Sequence, residues 1–252
     1  MLYLKNITKI KDGNGYPFVP VINNMTTLNF SSPVTILAGE NGSGKSTVLK
    51  ILATEMDCVF NDTDNKLEMP SGYFRLSKIK PSTTLHFSAE SFIRYINKFD
   101  RIKAETIEDI IKIKNDPNLS DEARGFALMP YCRTLNEMEN QYNGVLSKQS
   151  HGEGFCDFFF SRLKEGGLYF IDEPEAALSY CNQYALAYRI NLFAKEHNCQ
   201  FFICTHSPVM CAIPCAEIFE VNGDSINKTT YSELENIRFL ERFLKNKENM
   251  FK

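Results

Sequence analysis

Pro33-Val-Thr-Ile-Leu-Ala38 runs directly into Gly39-Glu-Asn-Gly-Ser-Gly-Lys-Ser-Thr47, and apolar side chains then recur at Val48, Leu49, Ile51, Leu52 and Met56. The first segment is a short apolar run with no polar face, the pattern of a central strand covered on both sides. The last keeps helical spacing from Ser46 to Met56. The order is therefore strand, glycine loop, helix. Successive backbone N–H groups of such a loop, together with those at the N-terminus of the helix, converge on one place and suit phosphate oxygens there. Lys45 adds a positive charge to that place, and Ser46 sets a hydroxyl where it can bind Mg²⁺. The pattern G-x-x-x-x-G-K-S/T makes Gly39, Glu40, Asn41, Gly42, Ser43, Gly44, Lys45, Ser46 and Thr47 the candidate nucleotide-binding residues, with Ser46 also a metal ligand.

Two later segments share this logic. Leu168-Tyr-Phe-Ile171 is a second buried strand and ends in Asp172-Glu173; a helix from about Tyr180 to Glu196 leads to a third, Gln200 to Cys204, followed by Thr205-His206-Ser207-Pro208. Strand, helix and strand in this order predict a parallel sheet, whose nucleotide crevice lies beyond the carboxyl ends of the strands. Asp172 is placed to hold Mg²⁺, Glu173 to polarise attacking water, and His206 to hydrogen-bond a γ-phosphate or that water. Lys45, Glu173 and His206 form the candidate catalytic set.

Outward from these motifs, residues 2–10 alternate as a half-buried strand and meet the turn Asp12-Gly13-Asn14-Gly15, which predicts a hairpin-like start. A further β stretch is expected over about 25–30 and another over 83–87, whereas 57–81 reads as polar and turn-rich. A helical insert is expected over about 88–150, broken at Asp116-Pro117 and Met129-Pro130 because proline cannot continue a helix. An aromatic-rich helix over 153–164, a hairpin over 217–230 and an amphipathic helix from Ser232 complete the reading. The fold class is α/β, with a mostly parallel central sheet flanked by helices and an N-terminal antiparallel β part, and the whole chain of 252 residues is expected to form one domain.

Composition narrows the class further. With 43% hydrophobic and 23% charged residues the chain should fold around a real core, and no apolar run approaches the roughly 20 residues of a spanning helix. The N-terminus lacks the features of a secretory signal, so the protein is expected to stay in the cytoplasm without membrane insertion. A net charge of -3 supplies no global field for nucleic acid. Basic residues of the insert such as Arg94, Arg101 and Lys112 are interleaved with acids, which favours a solvated helical face over a nucleic-acid patch. The eight cysteines include no C-x-x-C pair and read as reduced thiols. Cys199, Cys204, His206, Cys211 and Cys215 cluster in sequence, yet their spacings match no common zinc site.

Taken together, these segments resemble the ATP-binding cassette (ABC) class of P-loop ATPases, and within it the soluble stand-alone ATPases related to RecF and SMC-type proteins. Asp172-Glu-Pro-Glu-Ala-Ala-Leu-Ser179 is similar to the acidic strand end and following D-loop, with Glu175-Ala-Ala-Leu-Ser179 in place of the transporters' Thr-Ser-Ala-Leu-Asp, and His206 matches the switch histidine. Ser150-His151-Gly152-Glu153 resembles the signature motif, with His151 and Glu153 departing from Ser-Gly-Gly-Gln. Tyr16-Pro17-Phe18, Phe87-Ser-Ala-Glu-Ser-Phe92 and Arg242-Phe243-Leu244 extend the likeness over nearly the whole chain.

The resemblance implies ATP and Mg²⁺ as ligands. It further implies an ATP-dependent homodimer in which Ser150 and Gly152 of one copy bind the γ-phosphate held in the glycine loop of the other, and in which the motion regulates or drives a protein partner not identified by the sequence. Glu90 takes the approximate place of the Q-loop glutamine, where a carboxylate can approach Mg²⁺. Tyr16 and Phe18 are the aromatic candidates for stacking on adenine. Two other readings are an ATP-binding subunit of a membrane transporter and an ATP-dependent switch with little turnover.

Overall fold

In the computed structural model, residues 1–60, 67, 72–141 and 151–251 are described. Its core is a six-stranded sheet in which β5 (Thr83–Ser88), β6 (Gly167–Asp172), β7 (Gln200–Thr205), β3 (Val34–Ala38) and β8 (Glu217–Val221) lie side by side and parallel. β9 (Ile226–Thr229) closes one edge antiparallel to β8, as the expected hairpin requires. Every residue of β3, β6 and β7 is buried, which is why these strands are apolar runs without alternation.

Two layers cover the sheet. Leu37, Phe170, Phe202, Cys204 and Phe219 face one side, against α2 (Lys45–Glu55) and a three-stranded antiparallel sheet, β2 (Thr27–Asn29), β1 (Leu4–Lys9) and β4 (Phe74–Lys78), in that order. Ile36, Phe87, Tyr169, Ile171, Phe201 and Ile203 face the other, against α3 (Ala89–Asn115), α5 (His151–Phe160) and α6 (Tyr180–Glu196). Cys204 thus lies on one face of the sheet, and Cys199 and Cys211 on the other. Phe87 stacks among Phe158 and Phe159, so the aromatic run of α5 is the lid of the second layer.

Several expectations are corrected. The turn at Asp12 does not close a hairpin: β1 pairs with β2 only after α1 (Pro20–Asn24), and its other partner is β4. β4 falls within the stretch read as turns. It is an edge strand with only Phe74 buried, so its apolar alternation is too thin to register. The break at Pro117 is present, because α3 ends at Asn115 and α4 (Asp121–Gln141) begins beyond it. Pro130, however, sits inside α4, and Thr134 Oγ1 donates to its carbonyl. The carbonyl of Phe126 that proline leaves without an amide lies on an exposed helix, with Met129 64% accessible, where water can serve it. The aromatic helix ends at Phe160, short of the expected 164. On α3, Arg94, Arg101 and Lys112 lie within 3.6 Å of Glu90, Glu105 and Glu108, so these cations have acidic neighbours one turn away.

One buried amide fastens the two sheets together. Gln200, fully buried in β7, accepts from the N–H groups of Tyr3 (2.7 Å) and Leu4 (2.9 Å) through Oε1 and donates to Leu4 O (2.9 Å) through Nε2. Replacing it by leucine strands those three backbone groups. Gln200→Leu is expected to lower unfolding stability by about 1–3 kcal/mol in a denaturant titration.

Candidate functional site

The site begins where β3 ends. Gly39, Gly42 and Gly44 have φ values of +145°, +81° and +100°, a conformation that side-chain-bearing residues rarely adopt. Space is also closed to them. A Cβ on Gly39 would stand 2.1 Å from Val221 O, and one on Gly44 would stand 2.6 Å from a methyl of Val21. The loop therefore wraps tightly between β8 and α1 before α2 starts at Lys45.

Three side chains crowd the mouth of this loop. Lys45, 3% exposed, donates through Nζ to Glu40 O (2.7 Å) and lies 4.0 Å from Glu173 Oε1. Ser43 Oγ is buried without a hydrogen-bond partner among the described residues. Ser46 Oγ donates to Asp172 Oδ1 at 2.8 Å. A buried ammonium whose charge meets a carbonyl and a distant carboxylate, an orphaned hydroxyl and a ring of loop amides fit the phosphates of a nucleotide. The hydroxyl–carboxylate pair fits a hard cation beside them.

Sheet register brings the remaining groups to the same edge. Ser88 pairs with Asp172, Asp172 with Cys204, and Ala38 with Thr205, so β5, β6, β7 and β3 all end at one level. Glu173, one residue beyond β6, holds φ 47° and ψ 55°, and its N–H donates to Cys204 O (3.0 Å). This left-handed backbone costs a non-glycine residue on the order of 1 kcal/mol and turns its carboxylate toward Lys45. His206 is half exposed, with Nδ1 3.0 Å from Glu175 Oε1.

The structure thus brings Lys45, Ser46, Asp172 and Glu173 together with the glycine loop, and sets His206 at the same sheet edge. Glu90 opens α3 two residues beyond Ser88, and its exposed carboxylate lies 3.6 Å from Arg94; among the described residues no hydrogen bond or ion pair joins it to Ser46 or Asp172. Gly152 falls in the first turn of α5, and Ser150 lies outside the described residues. Phe18 is buried against Tyr73, with ring centroids 4.5 Å apart, and Tyr16 is exposed. Lys50, one turn beyond Ser46 on α2, is a residue the motif does not contain. Its charge acts on Asp172, and only its i+4 spacing from Ser46 could have suggested it.

Burial pushes the Asp172 carboxyl up to about 6, against the opposing pull of the Ser46 hydroxyl and the Lys50 and Lys45 charges. An acid with a raised folded-state value binds its proton more tightly than the unfolded chain does. Its contribution to stability therefore grows as pH falls from about 6 towards 4, and above that window the bare carboxylate is a cost. Asp172→Asn is expected to raise the nucleotide-free melting temperature at pH 7, by a stabilisation on the order of 1–3 kcal/mol. The same change should abolish the Mg²⁺ dependence of nucleotide binding. Calorimetry with and without Mg²⁺ checks both.

The chain is similar to several solved structures. Across 96% of this chain and 96% of its own length, a nucleotide-free ATP-binding cassette from an ABC transporter is similar at 14% identity and a TM-score of 0.49. An Smc head domain from Pyrococcus furiosus, with an extended coiled coil and bound to the C-terminal domain of ScpA, is similar at 14% identity and 0.49, over 99% of this chain and 100% of that one. A third likeness, at 19% identity and 0.46, is to an ATP-binding cassette in a dimeric post-hydrolysis state bound to ADP and Pi; it covers 93% of this chain and 100% of that one. No curated protein sequence matches. The family model described as "AAA ATPase domain" matches residues 54–211, which begins beyond the glycine loop and takes in Asp172, Glu173, Glu175 and His206. With more than half of its length under that match, the chain belongs to the AAA ATPase domain family.

Proposed function

We propose that this chain is a magnesium-dependent ATPase, folded as one domain over residues 1–252, that closes as a head-to-tail homodimer around ATP and uses the motion to regulate or drive a protein partner. The observation that carries the reading is the 2.8 Å hydrogen bond between Ser46 and Asp172 beside the buried Lys45. It joins the end of one strand to the first turn of the helix that follows another, beside the glycine loop. Mg²⁺, when bound there, would neutralise phosphate charge and fix the orientation of the β- and γ-phosphates. Ser46 and Asp172 would hold it, with Glu90 able to join only after leaving Arg94.

Each remaining residue has work of its own. Gly39 through Thr47 supply amides to the phosphates, and the Lys45 ammonium exchanges Glu40 O for a phosphate oxygen. Glu173 orients the attacking water and accepts its proton as oxygen bonds to the γ-phosphorus and the bond to the bridging oxygen of ADP breaks. His206 donates to the γ-phosphate. Asn41 and Gly42 are exposed, so one copy leaves this side of the loop open to water. Ser150 and Gly152 of a second copy would cover it with further donors. Tyr16, exposed three residues before the segment that packs on Gly44, is the ring available to adenine.

Glu173→Gln keeps the shape and removes the base. It is expected to bind Mg-ATP as tightly as the parent, to release phosphate about 10²–10⁴-fold more slowly, and to elute as a dimer with ATP. Lys45→Ala should give no binding heat. Rapid turnover by the Glu173→Gln variant, or a monomer under all nucleotide conditions, would contradict the mechanism.

A further inference from the structure

The carboxylate of Glu175 is 6% exposed and makes no hydrogen bond or ion pair to the glycine loop among the described residues, yet its Oε1 collects three donors from one place. These are Thr205 Oγ1 at 2.7 Å, the backbone N–H of His206 at 2.6 Å and His206 Nδ1 at 3.0 Å. Its Oε2 is buried without a hydrogen-bond partner among the described residues. Burying a carboxylate is costly, and the Thr205–His206 turn is what meets it. A carboxylate accepts only, so the contact to the ring requires a proton on Nδ1.

Other bonds hold the same turn from the other side. Gln183 on α6 donates to Leu178 O (2.9 Å) and accepts from Ser207 Oγ (2.6 Å), and Asn236, at the start of α7 (Glu235–Asn246), donates to His206 O (2.9 Å). The backbone of His206 is thus fixed by several groups, but its ring is fixed by Glu175 alone among the described residues.

We propose that Glu175 is a positioning residue for the ATPase reaction: it fixes the His206 imidazole with its proton on Nδ1, leaving the half-exposed Nε2 edge to meet the γ-phosphate. Where nothing else holds the ring, loss of that carboxylate frees both its rotation and its tautomer. With Nδ1 held by Glu175, it is Nε2 that faces outward, and it becomes a donor to a phosphate oxygen once the half-exposed ring takes a proton there from solvent water. Glu175 lies between Glu173 and the start of α6, so the ring is tied to the segment that carries Glu173. The assignment rests on the reading of His206 as a γ-phosphate contact.

The test uses the full chain labelled with ¹⁵N at its four histidines, the His206 signals being identified by their loss in His206→Asn. The wild-type ring is expected to carry its proton on Nδ1, and Glu175→Ala to lose that preference. Phosphate release by Glu175→Ala should fall about tenfold or more with KM for Mg-ATP changed less than about twofold, because the residue does not touch the loop. Glu175→Gln, whose amide oxygen can still accept from Thr205 and Nδ1, should recover turnover to within about threefold. A wild-type His206 protonated on Nε2 overturns the proposal without any variant. So does a Glu175→Ala protein with wild-type turnover, or one whose KM and kcat degrade together. Unchanged turnover in His206→Asn would instead remove the histidine from the reaction, and the wild-type spectrum would still show whether Glu175 sets its ring.

Discussion

A chain that leaves the middle of a buried parallel sheet and enters a helix within a few residues has to reverse direction in space already filled by its neighbours. Here the reversal from β3 into α2 runs through three glycines with positive φ. At Gly39 and Gly44 even one added carbon would collide with Val221 or Val21. The tightness has a chemical consequence. A glycine loop wound this tightly at the start of a helix is the kind of concavity whose amides suit an anion. The burial of Lys45 and the orphaned Ser43 hydroxyl follow from the same geometry.

Around that loop the parallel sheet acts as a levelling device. Parallel pairing in register brings Ser88, Asp172, Thr205 and Ala38 to one edge, so residues separated by more than a hundred positions become neighbours without any long side chain having to reach. β7 lies between β3 and β6. That places the Glu173-carrying turn after β6 against the histidine-carrying turn after β7, and explains why Glu173 and Glu175 contact β7 and its following turn through Cys204 O and Thr205. The left-handed Glu173 is tolerable because the adjoining strand accepts its amide proton.

Much of this was legible beforehand, and the limits of legibility are physical. The buried strands announce themselves because both faces are covered, so β3, β6 and β7 read as mainly apolar runs with no alternating polar face. The antiparallel sheet was harder. β4 buries only Phe74, and its place beside β1 is set by long-range pairing that no local period records. Pro130 misled for a related reason: a proline breaks a helix by stranding a carbonyl, which matters less where water reaches it. Among the site residues, the glycine loop and Asp172 could be read from motif and order. Lys50 and the anchoring of His206 could not, because they depend on which face of a helix or turn meets which strand end.

Sequence alone determined the order of strand, glycine loop and helix, the acidic strand end at Asp172-Glu173 and the histidine after the third strand, since each depends on local backbone demands and short-range apolar pattern. Only the tertiary structure decided that Ser46 meets Asp172, that Phe18 packs in the core with Tyr16 exposed, that Glu90 turns to Arg94, and that Glu175 holds the His206 ring. Side-chain direction at the end of a strand is set by twist, register and the layer packed above it, and those are properties of the assembled sheet rather than of any stretch of chain.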